Sequence, residues 1–176
     1  VMDKVSSFLL NHHSMSRECT LELTENQLIN TQIIQGSTIP TFVINSQHVV
    51  THWNKALERL TGLTENEMVG TQNQWKPFYN QERPSLADVV VSRTSHEEIQ
   101  KLYGNKWRES LLIEGAYEAE GFYPKLGDKG KWCWFTAAPI TSPKGAIIGA
   151  IETLWDKTED KKAEEERERH SREQAT

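Results

Sequence analysis

The side chains of this sequence with reactive potential are few, and their spacing limits what they can do. Cys19 and Cys133 belong to neither a C-x-x-C pair nor a C-x-x-C-H run, which gives no basis for a disulfide scaffold, a zinc knuckle or covalently attached haem. Cys133 sits between Trp132 and Trp134 in a strand-like run, where a thiol acts as buried apolar filler rather than as a nucleophile. His48 and His52 fall four apart on one strand face, yet no third ligand is near in sequence, and they read as surface residues rather than a metal pair. His170 stands in Arg169-His170-Ser171-Arg172, without the apolar neighbours of a phosphoacceptor helix. No nucleophile elbow, Walker loop, His-Glu-x-x-His helix or glycine-rich dinucleotide fingerprint occurs, so neither catalysis nor a metal centre is expected. Arg83 is the informative cation: beside an aromatic cluster its guanidinium suits a bidentate grip on a carboxylate, or a plain pairing with a neighbouring Glu or Asp.

The elements that would position these groups follow from hydrophobic period and caps. Thr24 and Gln27 form a capping box, stapled by Leu23 and Leu28, and helical spacing runs through Ile33 to Gly36, predicting an amphipathic helix over 24–36. Residues 1–23 hold too few apolar positions to fold alone and read as a connector. After Pro40 the period becomes two, and Thr41 to Ile44 and His48 to Trp53 read as a hairpin. Asn54 then caps a helix ended by Gly62, and Thr64 with Glu67 caps another ended by Gly70. Pro84 fits the first turn of a helix through Leu86, Val89 and Val90, and Ser95 with Glu98 opens the next, within a helical insert over 92–114. Three strands at hairpin spacing follow: Gly115 to Tyr123, Lys131 to Ile140 and Ala146 to Trp155. From Asp156 onward, 14 of 21 residues are charged, with pairs such as Glu165/Arg169 four apart, predicting a solvated helix over 157–176 with Asp156 and Glu159 as candidate caps.

With 176 residues there is room for one ordinary domain with flanking segments. Apolar residues make up 36% and charged residues 26%, and mean hydropathy is −0.65, the balance of a folded middle with solvated ends. A net charge of −5 offers nothing to phosphate backbones, so nucleic acid is not an expected partner. No window approaches the roughly 18–20 apolar residues of a membrane span, and membrane contact is not expected. The scarcity of cysteine suits a cytoplasmic location, and the first residue, Val1, fits a piece of a longer protein.

The run Asn54-Lys55-Ala56-Leu57-Glu58-Arg59-Leu60-Thr61-Gly62 through Thr64-Glu65-Asn66-Glu67-Met68-Val69-Gly70 resembles the PAS segment in which an Asn ends the second strand and two short helices end at glycine. Gly130-Lys131-Trp132-Cys133-Trp134 is similar to the start of the fourth PAS strand. Asp156-Lys157-Thr158-Glu159-Asp160-Lys161 with Glu164 resembles the D-x-T junction that closes the fold in bacterial sensor proteins. Together these cover about residues 36 to 165, in the right order.

The resemblance implies an α+β domain over 37–156: a five-stranded antiparallel sheet in order 2-1-5-4-3, short helices on one face and a pocket between them, with an N-terminal flanking helix and a C-terminal signalling helix. It implies a sensor that binds a small molecule, acts as a homodimer and relays to a covalently linked output domain: a histidine kinase, a diguanylate cyclase or a transcriptional regulator. Trp75, Phe78, Tyr79, Arg83, Leu86 and Val90 from the helical side, and Trp107, Tyr117, Trp134 and Phe135 from the insert and strands, are the candidate pocket residues. Trp155, Asp156 and Thr158 are the candidate relay. Flavin-thiol photochemistry of the family's light sensors is excluded, because Thr71-Gln72-Asn73-Gln74-Trp75 carries no cysteine where theirs stands. Haem in the family is held by a histidine on the helix beside the pocket. His96 is the one histidine in that region, and beside Glu97 and Glu98 it reads as a solvent-facing helix start. The cofactor therefore stays unidentified. The alternative is a ligand-free PAS dimerisation module with a filled core.

Overall fold

A computed structural model describes residue 15 and residues 21–174. The chain divides into two units, residues 1–36 and residues 37–176. In the first, helix α1 covers 21–35 and stops where the Gly36 N–H donates to the Gln32 carbonyl. It is already helical at Leu21, so Thr24 lies inside it instead of capping it: Leu21, Glu22 and Leu23 are good helix formers and carry the helix upstream. The rest of the connector read over 1–23, Cys19 included, lies outside the described residues apart from Met15.

The second unit is a single antiparallel sheet with helices on one face. In chain order it contains β1 (Thr41–Asn45), β2 (Val50–Trp53), α2 (Lys55–Thr61), α3 (Glu65–Met68), α4 (Leu86–Ser92), α5 (His96–Tyr103), β3 (Trp107–Glu109), β4 (Tyr117–Tyr123), β5 (Lys131–Thr141), β6 (Ile147–Asp156) and α6 (Thr158–Gln174). Strand order is β2-β1-β6-β5-β4-β3, six strands where five were expected. The additional strand comes from the segment read as a helical insert. Only α5 of it is a long helix; Gly104, at φ 62 and ψ −130, turns the chain through a conformation suited to glycine, and Trp107 to Glu109 pair with Ala119 to Tyr117. Trp107 packs its ring toward Tyr117 on the helical face, which fixes the register of the added edge.

Sequence caps set the helices. Asn54 caps α2, Thr64 and Glu67 close a capping box on α3, and Ser85 and Asp88 close another on α4. Pro84 therefore sits just before the cap of α4, not in its first turn. Alternation along the long strands sorts the two faces of the sheet. Cys133, Phe135 and Ala137 on β5, with Ala150, Glu152 and Leu154 on β6, point under the helices and are buried. Their neighbours Trp134 and Trp155 stack on the opposite face with ring centroids 6.4 Å apart. The core between sheet and helices is built on Phe42, Trp53, Leu57, Leu86 and Leu154, each no more than 1% exposed.

Candidate functional site

Among the described residues two carboxyls are buried, Asp88 on α4 and Glu152, 3% exposed, on β6. One of the Glu152 oxygens accepts the Ala87 N–H at 2.7 Å, in the first turn of α4. Burial pushes the carboxyl up to about 8, the Ala87 hydrogen bond pulls it partly back, and the nearby Asp88 charge raises it again. At neutral pH Glu152 thus keeps its proton and offers both an O–H donor and an acceptor. Next to it stand three tyrosines. Tyr79 and Tyr123 meet edge to face, centroids 5.8 Å apart, with their hydroxyls 3.4 Å apart. Tyr103, from α5, packs on Phe135 at 5.9 Å. Burial raises all three phenols above their ordinary value.

Arg83 closes this cluster. Its guanidinium lies 4.1 Å from the Tyr79 ring centroid and 5.2 Å from that of Tyr103, and one of its terminal nitrogens donates to the Leu102 carbonyl at 2.9 Å. Its Nε is buried without a hydrogen-bond partner. Phe78, Tyr79, Ser85, Tyr123, Phe135, Glu152 and Leu154 enclose a cavity of about 10 Å3, scarcely one water in size. The chemistry on offer is hydrogen bonding to a small polar molecule between aromatic walls.

Two solved structures are similar to this fold. The PAS domain of BvgS from Bordetella pertussis is 15% identical, with a TM-score of 0.50 over 85% of this chain and 98% of its own. An RNA-binding light-oxygen-voltage receptor is 17% identical, with a TM-score of 0.53 over 84% of this chain but only 37% of the receptor. A family model described as PAS fold matches residues 30–73. The chain has the PAS fold. Among curated proteins none matches it.

Within the PAS core the candidate residues separate into groups. Phe78, Tyr79 and Phe135 line the cavity, Arg83 stacks on Tyr79 at its side, and Leu86 and Val90 of α4 pack in the surrounding core. Trp75 lies elsewhere, in a surface groove with His48 and Gln74. Trp107 and Tyr117 flank His96 at the β3 edge, at 5.4 and 6.2 Å. Trp134 is on the far face of the sheet, because strand parity places it opposite Phe135. His96 is exposed and pairs its Nε2 with Glu109 at 2.7 Å. His48 and His52 do not share a strand face: β2 starts only at Val50, and His48 stands in the preceding turn at φ 63. The core groups not anticipated are Glu152, Tyr103, Tyr123 and Ser85. Parity within Ala150-Ile151-Glu152-Thr153-Leu154 marks Glu152, since it shares the face of two apolar residues.

The relay residues meet at the end of the sheet. Asp156 Oδ1 accepts from the Thr158 N–H at 3.0 Å and its hydroxyl at 2.6 Å, while Oδ2 pairs with Lys131. Burial alone would raise the Asp156 carboxyl, but Lys131 and Thr158 together hold it below its ordinary value. Strand β5 grips the same junction: the Lys157 N–H donates to the Trp132 carbonyl at 2.7 Å, and the Trp132 N–H to Thr158 Oγ1 at 3.1 Å. One turn on, Lys161 Nζ reaches Glu120 at 3.7 Å and the face of Trp132 at 5.7 Å. Among the described residues no helix is long and apolar enough to cross a membrane.

Proposed function

We propose that this PAS domain is a cytoplasmic, homodimeric sensor of a small molecule, and that β6 passes the bound state through α6 to an output domain such as a histidine kinase, a diguanylate cyclase or a transcriptional regulator. Glu152 carries this reading: it is a buried carboxyl on the strand that only Lys157 separates from the exit helix. A ligand bonding to Glu152 would act directly on the element that leaves the domain. The unpartnered Arg83 Nε and the hydroxyls of Tyr79, Tyr103 and Tyr123 supply the other polar contacts, and Phe78 and Phe135 the walls. Entry requires the Tyr79–Tyr123 contact to part, since about 10 Å3 admits no metabolite. Sensing then amounts to a ligand binding better to an opened state a few kcal/mol away.

Mass spectrometry of the protein purified natively and then denatured tests this, alongside a visible absorption spectrum for haem or flavin. A stoichiometric small molecule is the expected result. The nearly filled cavity favours a second reading, a ligand-free dimerisation module, for which no small molecule is released and light scattering gives a dimer. For the relay, Asp156→Ala removes the acceptor for two Thr158 donors and the partner of Lys131, a loss of about 1 kcal/mol. Expected is a domain that stays folded by circular dichroism while output in the full-length protein no longer follows the stimulus. Unchanged signalling would count against transmission through this junction.

A further inference from the structure

We infer that Ser92, His48 and Asp88 form an acyl-transfer site on the surface of the domain, one that takes the acyl group of an activated ester and passes it to water. Ser92 is the exposed last residue of α4, and its Oγ lies 3.4 Å from His48 Nε2. The other imidazole nitrogen, Nδ1, is 2.7 Å from Asp88 Oδ1. Nucleophile, base and orienting carboxylate thus stand in series, the arrangement that activates a hydroxyl. The carboxylate and the base are held. Asp88, 8% exposed, accepts from Gln74 Nε2 at 2.9 Å and from the Ser85 N–H and hydroxyl at 2.8 and 2.7 Å. His48 is kept at φ 63, a left-handed conformation uncommon for a residue with a Cβ, by a turn in which its N–H donates to the Asn45 carbonyl at 3.0 Å.

A groove of about 350 Å3 runs past the three groups, lined also by Gln72, Gln74 and Trp75. Gln74 Nε2 donates to Asp88 and to the His48 carbonyl, which fixes the amide and leaves its buried Oε1 without a partner. That oxygen suits an N–H on the acyl donor. The N–H groups of Arg93 and Thr94 are already bonded to the carbonyls of Val90 and Val89, so the backbone after Ser92 offers no ready oxyanion donors. The site therefore suits acyl donors with good leaving groups, such as aryl esters, thioesters and acyl phosphates, and releases the acyl group slowly.

In the first step Ser92 Oγ bonds to the carbonyl carbon and its proton moves to His48 Nε2. The bond to the leaving group breaks, and that proton goes to the departing oxygen or sulfur. Water then repeats the sequence, giving the free acid and restoring the serine.

Mixing the whole chain with p-nitrophenyl acetate tests this. A burst of p-nitrophenol and an acetyl group on Ser92 by peptide mapping are expected. Ser92→Ala, at an exposed position, should remove both. His48→Asn, which tolerates the left-handed backbone, should slow the burst about a hundredfold, the weight of a general base, with the circular dichroism spectrum unchanged. Acetyl groups found only on lysines, or an undiminished burst in either variant, would overturn the assignment.

Discussion

Replacing Glu152 with Gln should make the domain more heat-stable in alkaline solution and flatten its stability against pH. In the unfolded chain the carboxyl titrates near its ordinary 4.5, whereas burial holds it at about 8 in the fold. Below 4.5 both states carry the proton and the folded form has its full stability. Between the two values the unfolded chain releases the proton while the folded chain keeps it, so stability falls as pH rises, by up to about 1.4 kcal/mol per pH unit, and levels off above about 8. Gln keeps the shape and an acceptor for the Ala87 N–H but cannot ionise. Thermal melts should find the two proteins within about 1 kcal/mol near pH 5. Near pH 9 the Gln variant should lead by several kcal/mol, following the same slope. Equal slopes for both would mean that Glu152 ionises freely in the fold and that the cluster is wetter than its burial implies.

A second large effect is expected at Asn54, where a single buried side chain joins three segments. Its Oδ1 accepts the N–H groups of Thr41 at 3.0 Å and Leu57 at 2.9 Å, and its Nδ2 donates to the Ile39 carbonyl at 2.8 Å. The start of β1, the cap of α2 and the chain entering the sheet therefore depend on one amide. Asn54→Ala removes the cap and leaves the N–H groups of Thr41 and Leu57 without their acceptor, a loss of about 3–5 kcal/mol when a cap and two unsatisfied donors are combined. Asn54→Asp keeps both acceptor bonds but loses the donor, and should fall between. Urea midpoints at constant slope would establish the order; an Ala variant as stable as the native chain would show that water replaces the amide.

Local signals made much of the fold legible. Asn54, Thr64 with Glu67, and Ser95 cap the helices that their side chains announce, because caps depend on neighbours within four residues. The meander of β4, β5 and β6 follows from alternation and turn residues for the same reason. The sixth strand was not legible: three residues, Trp107 to Glu109, are too short to show a period, and they pair only because β4 offers an open edge. The polar centre was only half legible. Phe78, Tyr79, Arg83 and Phe135 could be proposed once the resemblance placed a pocket between sheet and helices, but Trp134 could not be assigned a face until the phase of β5 was fixed by Cys133 and Phe135 pointing inward. Tyr103 and Tyr123 carry no local signal in the sequence, since what sets them apart is their closeness to Arg83 and Glu152 across long stretches of chain.

Cys133 is 1% exposed on the inner face of β5, and burial pushes its thiol up to about 12. At neutral pH almost none of it is thiolate, so an alkylating reagent can take it only in the moments when β5 comes away from its neighbours. With Cys19 replaced by Ser, the speed of labelling becomes an internal clock for strand separation. A compound that clamps the sheet would slow that clock and one that loosens it would quicken it, so candidate effectors can be ranked from the isolated chain, before any downstream response is known.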